Sequence, residues 1–222
     1  MITPLAAAVV PLAAAGLLLA GPAAAQAAPS DLAQQIGYVG VPTTFHNAGV
    51  TVRVPTLTCT SASAYRSVSI GLFASESQAG VVRPFSLTID ETCNHGSVHY
   101  RAVYRNHGAG GGMPVHRGDV VRLTLNGVGG FGIDDHTSGR GSGGASGGSG
   151  SAPKAERPVL FGVQRVGPRP GGLHVNLSQP KVNHTALHAV KHHKHGGRSA
   201  NYRVGKLAGG RFPVTFRAKH PH

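Results

Sequence analysis

Apolar and polar positions alternate in short runs from Tyr38 onward. Val50-Thr51-Val52-Arg53-Val54 reads apolar, polar, apolar. That is the signature of a half-buried strand, because successive side chains of an extended chain point to opposite faces. Tyr65 to Ile70, Val98 to Tyr104 and Val120 to Leu125 repeat the pattern, and Pro158 to Val166 is a more continuous apolar strand. Val175 to Val190 and Phe212 to Phe216 are weaker. Short strands with Gly and Pro between them predict an all-β sandwich or barrel. The 33 Gly and 15 Pro leave little room for long helices. A helical reading fits only Asp31-Leu32-Ala33-Gln34-Gln35, with Ser30 as N-cap.

Ser138 to Pro153 is a Gly/Ser tract. The residues after it are too few and too weakly patterned for a second core. It is therefore expected as a flexible loop inside one domain, since closure entropy grows only logarithmically with loop length. At the N-terminus, an alanine-rich apolar run from Leu5 to Ala20 leads to Ala25-Gln26-Ala27, an A-x-A cleavage pattern. This predicts a signal peptide over residues 1–27, a secreted mature domain over 28–222, and no membrane span after cleavage. The n-region before it carries no Lys or Arg.

The 2 cysteines, Cys59 and Cys93, both lie in the exported part, where oxidation is permitted. An even count there favours a Cys59–Cys93 disulfide; two free thiols or a two-ligand metal site are the alternatives. The formal charge of +13 favours an anionic partner, such as a cell-envelope polymer or an acidic peptide, or association with the cell wall. No helix-turn-helix, zinc-finger or RNA-recognition pattern argues for specific nucleic-acid binding.

Candidate chemistry is sparse. No P-loop is present, and no cofactor is expected. The absence of Trp weighs against a sugar-stacking platform. His184, His188 and His192 recur every fourth residue and would share one face of a helix, or one face of a strand, as a zinc, nickel or copper site. Lys191 and Lys194 among them oppose a cation, so a basic loop and strand edge is the competing reading. Asp134-Asp135 and Asp90-Glu91 are paired only in sequence. On a strand, neighbours point apart, so neither pair shares a substrate.

Gly37-Tyr38-Val39, Val54-Pro55, Ile70-Gly71, Ile89-Asp90, Tyr100-Arg101-Ala102-Val103-Tyr104 and Gly118-Asp119 follow one another in an order that resembles the eqolisins, the secreted glutamic peptidases. The resemblance spans roughly Gly37 to Val190 and its motifs are degenerate. It implies a concanavalin-like β-sandwich of two antiparallel sheets, one bent into a cleft. It also implies a catalytic Gln and Glu, the Glu acting as general acid/base on water and the Gln holding the water and polarising the oxyanion. Aligning the family's Val-Asp with Ile89-Asp90 puts Ser86 at the Gln. Arg105 stands where the family's Tyr-x-Ala-Trp-Tyr-Glu run has its Glu. The catalytic Glu falls on Glu156 in one alignment and on Val159 in another, which is preferred because Pro158 would disturb the strand. The expectation is a secreted pseudoenzyme that binds an anionic partner. An acid endopeptidase using Glu156 with Ser86 or Gln78, and a His-rich metal-binding protein, are the alternatives.

Overall fold

In the computed structural model, residues 35–42, 45–59, 66–78, 81–94, 96–106, 109–127, 130–145, 158–166, 172–196 and 202–216 are described. The expected signal peptide, residues 31–34 of the expected helix and Glu156 lie outside them. The strands are β1 (Gln35–Gly40), β2 (Asn47–Arg53), β3 (Arg66–Gln78), β4 (Val81–Asn94), β5 (Ser97–Asn106), β6 (Ala109–Pro114), β7 (Val120–Asn126), β8 (Gly130–Asp135), β9 (Arg140–Ala145), β10 (Val159–Val166), β11 (His174–Val182), β12 (Thr185–Ala186), β13 (His192–His195), β14 (Tyr202–Val204) and β15 (Arg211–Phe216). Among the described residues a 3-10 turn, Leu187–Ala189, interrupts them. Gln35, expected at the end of a helix, instead opens β1, where it pairs with Gln164.

Two antiparallel sheets face each other. One runs β13-β1-β10-β3-β4-β5-β6; the other runs β14-β15-β11-β2-β7-β8-β9, with β12 paired to β11. The alternation seen in sequence sets which side of each strand is dry. Ile36 and Tyr38, Ile70 and Leu72, Leu87 and Ile89, and Phe161 and Val163 turn inward from the first sheet. Val50 and Val52, Leu123 and Leu125, Val175 and Leu177, and Phe212 and Val214 meet them from the second. Each such side chain contributes about 1.5–3 kcal/mol of burial.

Two of the sequence motifs lock onto each other. Val54 donates its N–H to the Asp119 carbonyl (2.8 Å), and Gly118 donates to the Val54 carbonyl (2.9 Å). Gly118 has φ +89°, a conformation that costs glycine little. Tyr38 ties the sheets at the other flank. Its hydroxyl donates to the Gly205 carbonyl and accepts the Leu207 N–H, both at 3.1 Å, and its ring meets Phe212 edge-on.

Gly71 is constrained by both its backbone and its surroundings. Its φ is +151°, and a Cβ there would run into the Leu87 carbonyl oxygen and the Leu123 side chain. Gly71→Ala is expected to lower unfolding free energy by about 2–3 kcal/mol through overpacking and backbone strain. Urea denaturation checks this; an unchanged midpoint would show that the bend tolerates a side chain.

The Gly/Ser tract is not wholly a loop. Arg140–Ala145 pairs with β8 as an edge strand, and 146–153 lie outside the described residues. Small residues are what the position requires, because the Phe131 ring lies against Gly144 on β9 and Gly111 on β6 while stacking on Tyr104 at 4.4 Å.

Candidate functional site

The face of the first sheet turned away from the core is set by register. One cross-strand row reads His193, Val39, Leu160, Phe73, Ser86, Arg105 and Gly110, from β13 to β6. Four residues along the strands, a parallel row reads Gln164, Ser69, Asp90, Arg101 and Pro114. At the β1–β10–β3 end the face is apolar: Val39, Phe73 and Leu160 form their own small cluster, separate from the main core. At the β4–β6 end it is an open groove of about 750 Å³ lined by polar and basic side chains, among them Ser67, Asp90, Thr92, His99, Arg101 and Arg105.

The centre of the groove is a hydrogen-bonded triad. Asp90 is nearly buried, and its Oδ1 accepts the Thr88 hydroxyl at 2.8 Å. Its Oδ2 is ion-paired with Nη2 of Arg105, whose Nη1 donates to Thr88 Oγ1 at 3.3 Å. Arg105 thus reaches two and four residues along its neighbour strand, to Thr88 and Asp90, rather than staying opposite Ser86. Arg101 stands directly opposite Asp90 in register, yet the carboxylate is already satisfied. Arg101 is exposed and has no ion pair among the described residues. With His99, Arg101 and Arg105 on one face, broken only by Val103, β5 presents a basic stripe to the groove.

Glu91, the next residue on β4, turns the opposite way. It is fully buried, and neither carboxyl oxygen has a hydrogen-bond partner. Burial pushes this carboxyl up to about 8, so it is uncharged at neutral pH. It pairs in register with Val68 and Tyr100, and Cys93 lies two residues beyond on the same side. The phenol of Tyr100 is also raised, first by burial, against a lowering hydrogen bond from Leu57, with the Glu91 charge adding to the rise and Arg117 opposing it.

The residues expected from sequence are scattered. Ser86 does lie on the outward face, half-buried between Phe73 and Arg105. Val159 does not: it is fully buried in the core, and its neighbour Leu160 takes the outward face, so the alignment that puts Val159 at the catalytic Glu fails on strand parity. Glu156 lies outside the described residues, and Gln78 ends β3 at the far hairpin, opposite Val81. Cys59 and Cys93 are joined, with Cα atoms 5.6 Å apart.

His184, His188 and His192 do not share a face, and no group of three or more His, Cys, Asp or Glu among the described residues could hold a metal ion. His184 sits with Asn183 in a positive-φ hairpin turn and lies 2.9 Å from the Asn47 amide. His188 is in the 3-10 turn, and His192 is in β13 with Nδ1 2.8 Å from the Val190 carbonyl. Three different backbone conformations break the four-residue periodicity that a single helix or strand would have preserved. Asp134 and Asp135 point apart as expected: Asp134 is exposed, while Asp135 is buried and accepts the N–H groups of Thr137 and Ser138.

The triad was not visible from spacing alone. Arg105 is legible as a cation on the strand beside Asp90, but nothing local says which carboxylate, four positions along β4, it meets.

Several solved structures resemble this fold. Scytalido-glutamic peptidase with a transition state analog inhibitor superposes with a TM-score of 0.60 at 12% identity, covering 82% of this chain and 98% of that chain. The same peptidase with a peptide-based transition state analog gives 0.59 at 12%, with the same coverage. SCP-B, a member of the eqolisin family, in a complex with the tripeptide Ala-Ile-His, gives 0.56 at 12%, also over 82% and 98%. No family model matches the chain, and neither does any curated protein sequence. At this identity the likeness establishes a shared β-sandwich fold.

Proposed function

We propose that this chain is a secreted, non-catalytic binding protein built on a glutamic-peptidase-like sandwich, and that its outward groove holds an extended anionic partner. The partner class is an anionic cell-envelope polymer or an acidic peptide. The observation that carries this reading is the occupancy of the row through Ser86: Leu160, Phe73, Ser86 and Arg105 stand side by side. A hydroxyl between an aromatic ring and a guanidinium has neither the carboxyl that would take a proton from water nor the amide that would hold it. On the same face of β4, the carboxylate of Asp90 is committed to Arg105 and Thr88. Arg101 remains free to meet a ligand charge, and the +13 balance of the chain attracts one from a distance.

Titration of polyglutamate into the protein tests this. Binding is expected at low salt, weakening by roughly tenfold or more at high salt as exposed charges are screened. Arg101→Ala is expected to weaken it without loss of fold, because that side chain holds nothing else in place. A casein digest at low pH is expected to show no cleavage. Cleavage abolished by Glu156→Gln would overturn the reading in favour of an acid endopeptidase.

A further inference from the structure

The groove ends on an unusual edge. β6 is the last strand of its sheet, and three of its residues, Gly110, Gly111 and Gly112, carry no side chain. Exposed strand edges are ordinarily blunted by charge, shortness or cover. The opposite edge, β13, carries Lys194 and three His, and β14 is only three residues long. β6 has six residues and no charge.

The ladder shows which backbone groups face outward. Val115 donates its N–H to the Tyr100 carbonyl (3.4 Å), so Val115, Met113 and Gly111 turn toward β5. Gly110, Gly112 and Pro114 therefore turn to the open side, because pairing alternates along an antiparallel strand. Pro114 agrees with this phase, since a proline is tolerated where its missing N–H would have faced away from the sheet. Among the described residues nothing pairs with that outer edge. The inner side is held firm, with the Phe131 ring against Gly111.

Cations stand one strand in. Arg105 is opposite Gly110, and Arg101 is opposite Pro114. Two strand spacings are about 9.5 Å, which an arginine and a glutamate extended toward each other can span, and Gly112 beside Pro114 adds no side chain to the path. The β9 edge is also glycine-rich, but the strand beside it presents the exposed carboxylate of Asp134.

We propose that an extended acidic peptide docks by adding itself as an outer strand to β6, its backbone bonding to Gly110 and Gly112 and an acidic side chain crossing β6 beside Gly112 to Arg101, the β5 arginine that holds no carboxylate. This rests on the anionic-groove reading above and names the occupant and its mode of attachment. Backbone pairing supplies affinity without regard to sequence, and Arg101 selects for acid.

The test uses isotopically labelled protein and a short end-blocked peptide alternating Glu and Thr. Hydrogen exchange at the Gly110 and Gly112 amides is expected to slow roughly tenfold or more on binding, as it does for newly paired backbone. Methylating alternate backbone nitrogens of the peptide keeps its charge and removes its donors; it is expected to weaken binding roughly tenfold, the loss of one or two hydrogen bonds. Gly110→Pro, which deletes one outward N–H, is expected to do the same. If the methylated peptide binds as tightly and the two amides stay unprotected, edge addition is wrong while the groove reading stands. If neither peptide nor polyglutamate binds, both fall.

Discussion

Replacing Glu91 by leucine is expected to make the protein markedly more stable, and more so the higher the pH. Its carboxyl is sealed in the core with both oxygens unpartnered. Burial raises it from 4.5 to about 8. A raised folded-state value means that the folded chain holds the proton more tightly than the unfolded chain does. The contribution to stability is therefore complete below pH 4.5, declines between 4.5 and 8, and is gone above 8. At about 1.4 kcal/mol per pH unit, the decline across that window is on the order of 5 kcal/mol. Glu91→Leu removes the linkage and the unsatisfied oxygens together. Its advantage over the parent should be small at pH 4 and reach several kcal/mol at pH 9. Taking the difference between the two proteins cancels the titration of the 14 histidines. Urea unfolding from pH 4 to pH 9 gives the answer, and parallel curves for parent and variant would mean that Glu91 is not the group responsible.

Why this carboxyl escaped the sequence, while much of the fold did not, follows from how each strand carries its signal. β2, β5 and β7 alternate apolar and polar residues, so Val50 to Val54, Val98 to Tyr104 and Val120 to Leu125 could be read directly as half-buried strands. β6 and β9 are nearly all glycine and small residues, and what makes them strands is a neighbour with an open ladder and the aromatic ring of Phe131. No local pattern encodes that. In β4, alternation correctly sends Asp90 and Glu91 to opposite faces, but both are acids, and only the phase set by Leu87, Ile89 and Cys93 tells which one is inside. The likeness to the glutamic peptidases was legible in short motifs because those motifs hold the frame: Val54 and Asp119, far apart in sequence, hydrogen-bond to each other. The groove's ion pair was not, because Arg105 crosses four positions along its neighbour strand to reach Asp90.

Removing the Cys59–Cys93 bridge should cost nearly as much as Glu91 does, and the two costs should interact. The bridge joins the segment following β2, in one sheet, to β4 in the other, across a separation of 34 residues. Opening a loop of that length releases unfolded-state entropy worth about 4 kcal/mol on the chain-entropy account. That term does not depend on pH. Glu91, two residues from Cys93 on the same buried side, supplies a part that does. With the bridge gone, the two sheets can part at this end and admit water to the carboxyl, which then ionises without the full burial penalty. The Cys59→Ala/Cys93→Ala variant should therefore lose about 4 kcal/mol at pH 4 but distinctly less at pH 9, where relief at Glu91 offsets part of the lost constraint. In the Glu91→Leu background the cost should be the same at both pH values. Equal costs at pH 4 and pH 9 in the parent would show that the disulfide end stays closed without its bridge, and that the acid and the crosslink stabilise the sandwich independently.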